Sequence, residues 1–260
     1  MRFANPTYDC QALEVCENPG PETPTDNGPP LSHFLTSFAA AWKLLTTFDP
    51  EVCFVVWTSL KIAAVSALLA AVAGIPLGLG LALARFRGRG FFLLLLNTAM
   101  ALPTVVIGLF VYALIGRRGP LGELGLLFTP TGIIIGQFLL ALPVTVHYAH
   151  CAIQALDPRL FLTIRTLGAR GSAAAWKVLA EARFGVMAAV VASFGRTIAE
   201  VGVAMMLGGN IEGFTRTMTT AIALETSKGE FELALALGLV LMAVAFAVNA
   251  GLFLIQKRAP

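Results

Sequence analysis

The chain has 260 residues, 57% of them hydrophobic and 13% charged, with a formal net charge of +3. Soluble domains carry about 25% charged residues, so this composition cannot clothe a water-exposed globule, and the recurring long apolar runs exclude one. The positive charge is spread over loops with no nucleic-acid-binding run, and the four cysteines (Cys10, Cys16, Cys53, Cys151) form no CxxC pair and no zinc-like spacing.

Residues 1–30 are rich in Pro, Gly, Asn, Asp and Glu without an apolar period, which predicts a disordered extension. One early positive charge and no apolar core make it no signal peptide. Cys10 and Cys16 are expected there as free thiols, with a disulfide between them as the alternative if this end lies outside the cell. Over 31–50, Phe34, Leu35, Phe38, Trp42 and Leu45 recur at helical spacing and predict an amphipathic helix lying on the membrane.

Residues 51–258 read as a transmembrane domain. An α-helix needs about 20 apolar residues to cross a hydrocarbon core of about 30 Å, and five segments qualify: 52–84, 91–115, 131–151, 184–207 and 233–255. The fold class is therefore all-α and polytopic. Arg85, Arg87 and Arg89 follow the first span, Arg159, Arg165, Arg170, Lys177 and Arg183 the third, and Lys257 and Arg258 the fifth, which makes ten positive charges on one side. The other side holds six: Arg2, Lys43, Arg117, Arg118, Arg216 and Lys228. The excess of Lys and Arg marks the cytoplasmic side, so the N-terminus is expected outside, and the C-terminus and the 152–183 loop in the cytoplasm.

Three spans carry internal prolines, Pro76, Pro103 and Pro143. Each proline removes a helix hydrogen bond and kinks the helix, which suits either a bundle that opens and closes a path or a statically bent one. Gly74 and Gly78 form a small face four residues apart that lets helices approach closely. In the fourth span Arg196 and Glu200 share a face. Charges in lipid must face protein or a water-filled path, so the pair either neutralises itself while positioning the helix or lines a gate. The segment 208–231 opens with glycines beside Asn210 and is thick with hydroxyls, among them Thr215, Thr217, Thr219 and Thr220, around the single Arg216. It reads equally as a receiving surface for an oxyanion or as a capped external helix. His147 and His150 with Cys151 lack a third and fourth metal ligand and read as helix-terminal histidines. No GxxxxGK(S/T), HExxH or GxSxG occurs, so no ATP site of its own and no hydrolase activity is expected.

The cytoplasmic segment 155–183 is basic, amphipathic and punctuated by Gly168 and Gly171. A corner between spans does not require it, and it reads as a docking surface for a second protein. The stretch around Leu162–Gly168 with Val178 ten residues beyond the glycine is similar to the ATPase-docking loop of ABC importer permeases, whose pattern is Glu-Ala-Ala, three residues, Gly, nine residues, Ile-x-Leu-Pro. Gly168 matches and Val178 stands in for the Ile, while Leu162, Thr163, Ile164, Ala180 and Glu181 depart. Residues 200–229, EVGVAMMLGGNIEGFTRTMTTAIALETSKG, followed by FELALALG over 231–238, closely resemble tungstate importer permeases, a resemblance that covers about 35–258. Molybdate and sulfate permeases are similar in outline.

The resemblance implies a type I ABC importer built from two copies of this permease, two separate ATPase subunits that hold the ATP and Mg, and an external oxyanion-binding protein. It implies no cofactor in this chain. ATPase coupling falls on Arg165, Leu167, Gly168, Ala169 and Arg170, and Arg196, Glu200, Asn210, Thr215, Arg216 and Thr217 are the gate or path candidates. A secondary transporter is the rival class, but five spans do not divide into two inverted halves and no ion-binding cluster is evident.

Overall fold

The computed structural model describes residues 50–84, 86–168 and 171–257. The extension expected over 1–30, the surface helix expected over 31–50 up to residue 49, the Cys10 and Cys16 alternatives, and the coupling candidates Ala169 and Arg170 lie outside the described residues. Every regular element among those described is helical.

Helix α1 (Pro50–Leu83, 34 residues) starts on a proline with Glu51 in its first turn, placements that suit a helix N-terminus. At 1.5 Å per residue it is about 50 Å long, longer than the bilayer core, and it runs through Pro76 unbroken. The second expected span is two helices instead, α2 (Arg89–Ala101) and α3 (Thr104–Ile115), set at 97°. Leu102 is extended at φ −61°, ψ 136°, and Pro103 serves as the N-cap of α3. A proline disfavours helical backbone at the residue before it and brings no N–H of its own, so the bend expected at Pro103 becomes a complete break. Helix α4 (Pro130–Gln154) is capped by the Thr129 hydroxyl, which accepts from Gly132 N–H at 3.2 Å, and continues through Pro143.

Beyond α4 come α5 (Pro158–Thr166), α6 (Ser172–Glu181) and α7 (Arg183–Ile198), with α6 and α7 meeting at 76°. The fourth expected span, 184–207, is interrupted over 199–201 before a short α8 (Gly202–Gly208); α9 (Met218–Lys228) and α10 (Phe231–Lys257) complete the chain. Three of these helices are long and apolar enough to cross a membrane, or up to five if each bent pair counts as one span.

Packing centres on α1, α4 and α7. A Cβ added at Gly78 would lie 2.8 Å from the Val146 carbonyl oxygen, and one added at Gly74 2.9 Å from Thr145 Cβ, so α1 and α4 approach as closely as glycine permits. Polar side chains join the same three helices: Thr145 and Ser193 hydroxyls are 2.5 Å apart and Gln137 Nε2 donates to the Thr197 carbonyl at 3.2 Å between α4 and α7, and Thr197 Oγ1 donates to the Ala63 carbonyl of α1 at 3.4 Å. Such small residues and interhelical hydrogen bonds hold helices together where water supplies no hydrophobic force. In contrast, α10 leaves Met242, Phe246, Phe253 and Leu254 exposed, a face suited to lipid.

The two ends of the bundle are distinct. At one, Leu79, Ala82, Ile153, Ile164, Val178 and Ala182 form a core cluster, and Gln154 Nε2 donates to the Ala82 carbonyl at 3.0 Å. This joins the 155–182 loop to the end of α1 that leads into Arg87 and Arg89. At the other end Arg216 meets Glu51, and Phe128 N–H donates to the Leu207 carbonyl.

Candidate functional site

The first candidate surface is the 155–182 loop. Asp157 Oδ1 accepts from Arg159 N–H at 2.8 Å and Pro158 takes the first helical position, a standard helix start. Helix α5 then buries Ile164 in the cluster shared with α1, α6 and α7, with Leu160 and Phe161 half-buried beside it. Leu162 on α5 is 65% exposed, Leu167 just beyond its end 79%, and Trp176 on α6 71%. Arg165 lies within α5. Gly168 follows at φ +75° with open space where a Cβ would stand. The left-handed backbone rather than crowding inside the chain therefore selects glycine there. Leu167 and Gly168 form the outward tip of a loop anchored by its buried side.

The second site lies where the two broken helices meet. A Cβ at Gly202 would stand 3.1 Å from Thr104 Oγ1 and 3.3 Å from Glu200 Oε1, so the break at 102–103 abuts the break at 199–201. Irregular backbone at membrane depth is tolerated only when it is buried in protein or lines a cavity. Glu200 is 4% exposed, and its Oε1 accepts from Val203 N–H at 3.2 Å. Arg196 Nη1 reaches Glu200 Oε2 only at 3.9 Å, with its side chain 39% exposed. The expected pair is present at the limit of contact, while the carboxylate's hydrogen bond goes to the first turn of α8, where a helix favours negative charge.

The third group is the 208–220 loop, whose polar residues are engaged with one another. Thr215 Oγ1 donates to the Gly208 carbonyl at 2.6 Å and accepts from Ile211 N–H at 3.0 Å. Arg216 is largely buried, with Nη1 2.8 Å from Glu51 Oε1 and Nη2 3.5 Å from Glu212 Oε2. Thr217 caps α9 in a reciprocal box with Thr220, and Thr219 Oγ1 donates to the Glu200 carbonyl at 2.8 Å. That last bond ties the loop to the break at 199–201. Asn210, at φ +50°, leaves its Oδ1 buried without a partner.

The site residues therefore fall into three places: Leu167 and Gly168 with Arg165 at one end, Arg196 and Glu200 at the helix break, and Asn210 with Thr215, Arg216 and Thr217 in the loop bound to it. Sequence reasoning missed Glu51 as the partner of Arg216, and it missed Ser59, whose hydroxyl accepts from Met218 N–H at 2.6 Å. It also passed over Gln137, Thr145, Ser193 and Thr197. The available signal was a lone polar residue inside an apolar span, which has to find a partner on another helix. His147 Nε2 lies 3.6 Å from Cys151 Sγ, and no group of three His, Cys, Asp or Glu side chains among the described residues is arranged to hold a metal.

The family model described as "Binding-protein-dependent transport system inner membrane component" matches residues 74–259. The chain is similar to the tungstate uptake system permease protein TupB of Campylobacter jejuni, 42% identical over 219 residues, covering 84% of this chain and 92% of that protein. The TupB protein of Peptoclostridium acidaminophilum is 36% identical over 227 residues, covering 87% of this chain and all of that protein. Among solved structures, inward-facing MetNI methionine ABC transporter has a similar fold, with TM-score 0.65 and 17% identity over 80% of this chain and 95% of that one.

Proposed function

The chain belongs to the family of binding-protein-dependent transport system inner membrane components, and on that premise we propose that it is the membrane-spanning permease of an ATP-driven tungstate importer. The observation that carries the cargo is the similarity, spread over most of both chains, to two permeases named for tungstate uptake. The all-helical fold with three to five spans agrees with a permease in the inner membrane.

In this reading two copies of the chain form the path, two separate ATPases hold ATP and Mg, and an external binding protein delivers the oxyanion. The chain itself makes and breaks no bond. The N-terminus faces outward and the C-terminus the cytoplasm, as the excess of loop Lys and Arg supports. Each ATPase takes the tip of the 155–182 loop at Arg165, Leu167, Gly168, Ala169 and Arg170, a role supported by the exposed Leu162 and Leu167 beside an anchored α5. ATP-driven closure of the ATPases moves the paired loops together. Because Ile164 and Val178 share one cluster with Leu79 on α1 and Ile153 on α4, that movement reaches the bundle. The abutting breaks at Pro103 and Glu200 are the hinge of the gate, braced by Arg196. The loop carrying Asn210, Thr215, Arg216 and Thr217 couples that hinge to the outer end through Thr219 and Glu51.

Co-expression of the chain with the ATPase and binding protein tests the assembly. Two permease and two ATPase copies are expected in one purified complex by mass measurement. A permease that emerges without the ATPase contradicts the reading and favours a transporter driven by an ion gradient.

A further inference from the structure

At the end of the bundle opposite the 155–182 loop, the chain between α3 and α4 folds back over the end of α3 and encloses a cleft of about 540 Å³. That volume falls in the range of about 300–1,000 Å³ common to ligand sites. Leu121 N–H donates to the Leu114 carbonyl at 3.0 Å, and a Cβ added at Gly122 would lie 2.5 Å from the Gly116 carbonyl oxygen, so the fold-back is as tight as glycine allows. Tyr112 and Ala113 of α3 line the cleft, and so does Phe128. Phe128 stands at φ +61°, a backbone conformation that a bulky side chain rarely adopts. Its N–H bond to the Leu207 carbonyl at 2.8 Å fixes it there, with its ring against Gly209. Strained backbone held by its surroundings in this way is concentrated at functional sites.

The charged residues of the lining are Arg117 and Arg118. Both are exposed, and neither takes part in an ion pair among the described residues. Glu123, the one carboxylate between α3 and α4, does not line the cleft. Two adjacent, permanently charged guanidinium groups suit a phosphate, whose oxygens match their planar fork of donors. The position of the pair selects among phosphates. Arg117 comes two residues after Ile115, the last residue of α3. Along that helix Val106, Leu109, Phe110 and Ala113 recur at i, i+3, i+4 and i+7 and are all exposed, whereas Gly108, Val111 and Ile115 are buried. The exposed stripe is apolar and ends at Ala113, inside the cleft. Tyr112, also in the cleft, is a side chain suited to the headgroup level of a bilayer. A ligand that uses the arginines and the stripe together carries a phosphate at one end and hydrocarbon at the other.

We propose that the cleft between α3 and the 116–128 loop binds an anionic phospholipid of the leaflet at that end, with its phosphate on Arg117 and Arg118 and an acyl chain along Leu109, Phe110 and Val106. Basic pockets at the ends of membrane spans hold phospholipid headgroups by this chemistry. The inference rests on the chain being embedded in a membrane and not on the tungstate cargo, and it is assayed by lipid binding, so its failure is separate from a failure of transport.

The test uses the full-length chain, purified with the subunits that accompany it in a phosphate-free glycoside detergent, stripped of lipid and titrated with phosphatidylglycerol. Native mass spectrometry is expected to count about one tightly held phosphatidylglycerol per permease chain, as charge-assisted hydrogen bonds from two arginines favour. The double variant Arg117→Gln/Arg118→Gln should weaken that binding at least about tenfold, the loss expected when hydrogen bonds to a charged group are removed. Ala113→Trp, which fills the cleft and leaves its charge unchanged, should weaken it as well. Both arginines are exposed, so the double variant should keep its helical circular dichroism and melting temperature, and it decides alone if Ala113→Trp does not fold. The proposal is overturned if the unaltered chain holds no phosphatidylglycerol, or if the double variant holds it undiminished. Undiminished binding by a folded Ala113→Trp also overturns it, because the lipid would then be held by surface charge outside the cleft. Equilibrium dialysis against inorganic phosphate supplies the remaining comparison: one ion per chain, lost in the double variant while the lipid is retained, would give the cleft to a free oxyanion. A double variant that keeps the lipid and loses only the external binding protein would give it to a partner's carboxylates, and either result overturns the lipid assignment.

Discussion

Gly168→Asp is expected to abolish tungstate uptake while leaving a folded permease. Gly168 sits at φ +75° on the outer tip of the 155–182 loop, with nothing within 4 Å of the position a Cβ would take. A left-handed conformation costs a non-glycine residue about 1–2 kcal/mol, and Asp is among the residues that tolerate it best. In an exposed tip anchored through Ile164 and Val178, that strain stays local. The added side chain instead projects from the surface proposed to dock the ATPase, and its charge faces the basic character of the loop. Uptake into proteoliposomes should fall at least roughly tenfold, equivalent to about 1.4 kcal/mol in the coupled step, and the loaded binding protein should no longer stimulate ATP hydrolysis. The purified variant should keep its helical circular dichroism and melting temperature. Undiminished uptake by Gly168→Asp would remove the docking role from this loop.

The second large effect is expected inside the bundle. At Gly78 a Cβ would meet the Val146 carbonyl oxygen at 2.8 Å, Ala149 Cβ at 2.9 Å and the His150 amide nitrogen at 3.2 Å. Two of those atoms are backbone and cannot rotate away, so α1 and α4 must separate along the contact that holds the core. Overpacking of this kind costs about 1–3 kcal/mol or more, and in lipid no hydrophobic force between the helices offsets the lost contact. Gly78→Val should lower the yield of folded permease and its melting temperature, and uptake should fall in proportion. Gly80, two residues along the same helix, has nothing within 4 Å of its Cβ position, so Gly80→Val should behave as the unaltered chain. Equal melting temperatures for the two variants would mean that α1 does not pack on α4 through Gly78.

The spans were legible because lipid demands long apolar runs, and the Gly74–Gly78 face because a spacing of four puts two glycines on one side of a helix. The fates of the three prolines were not. Pro76 and Pro143 lie in helices packed on neighbours, where α1 and α4 bury about half of their apolar windows. Helix α2, which ends before Pro103, buries no residue. The same proline chemistry thus yields a continuous helix in one setting and a 97° break in another, and the deciding contacts lie far away in sequence. The partner of Arg216 was hidden for the same reason: Glu51 is 165 positions away. The spacing of Arg196 and Glu200 was visible, but the interruption over 199–201 redirects the carboxylate to the backbone of α8. For the loop proposed to dock the ATPase, the glycine and the amphipathic pattern singled out the segment, and burial of Ile164 in the cluster with Leu79 and Ile153 keeps the loop attached to the bundle without the Glu-Ala-Ala pattern.

The most direct test of the central claim is ATP hydrolysis in proteoliposomes holding this chain with its ATPase and binding protein, comparing tungstate, molybdate and sulfate at matched low concentrations. Stimulation by tungstate at concentrations well below those needed for molybdate or sulfate is the predicted result. An equal response to the three oxyanions, or none to any, would contradict a tungstate importer.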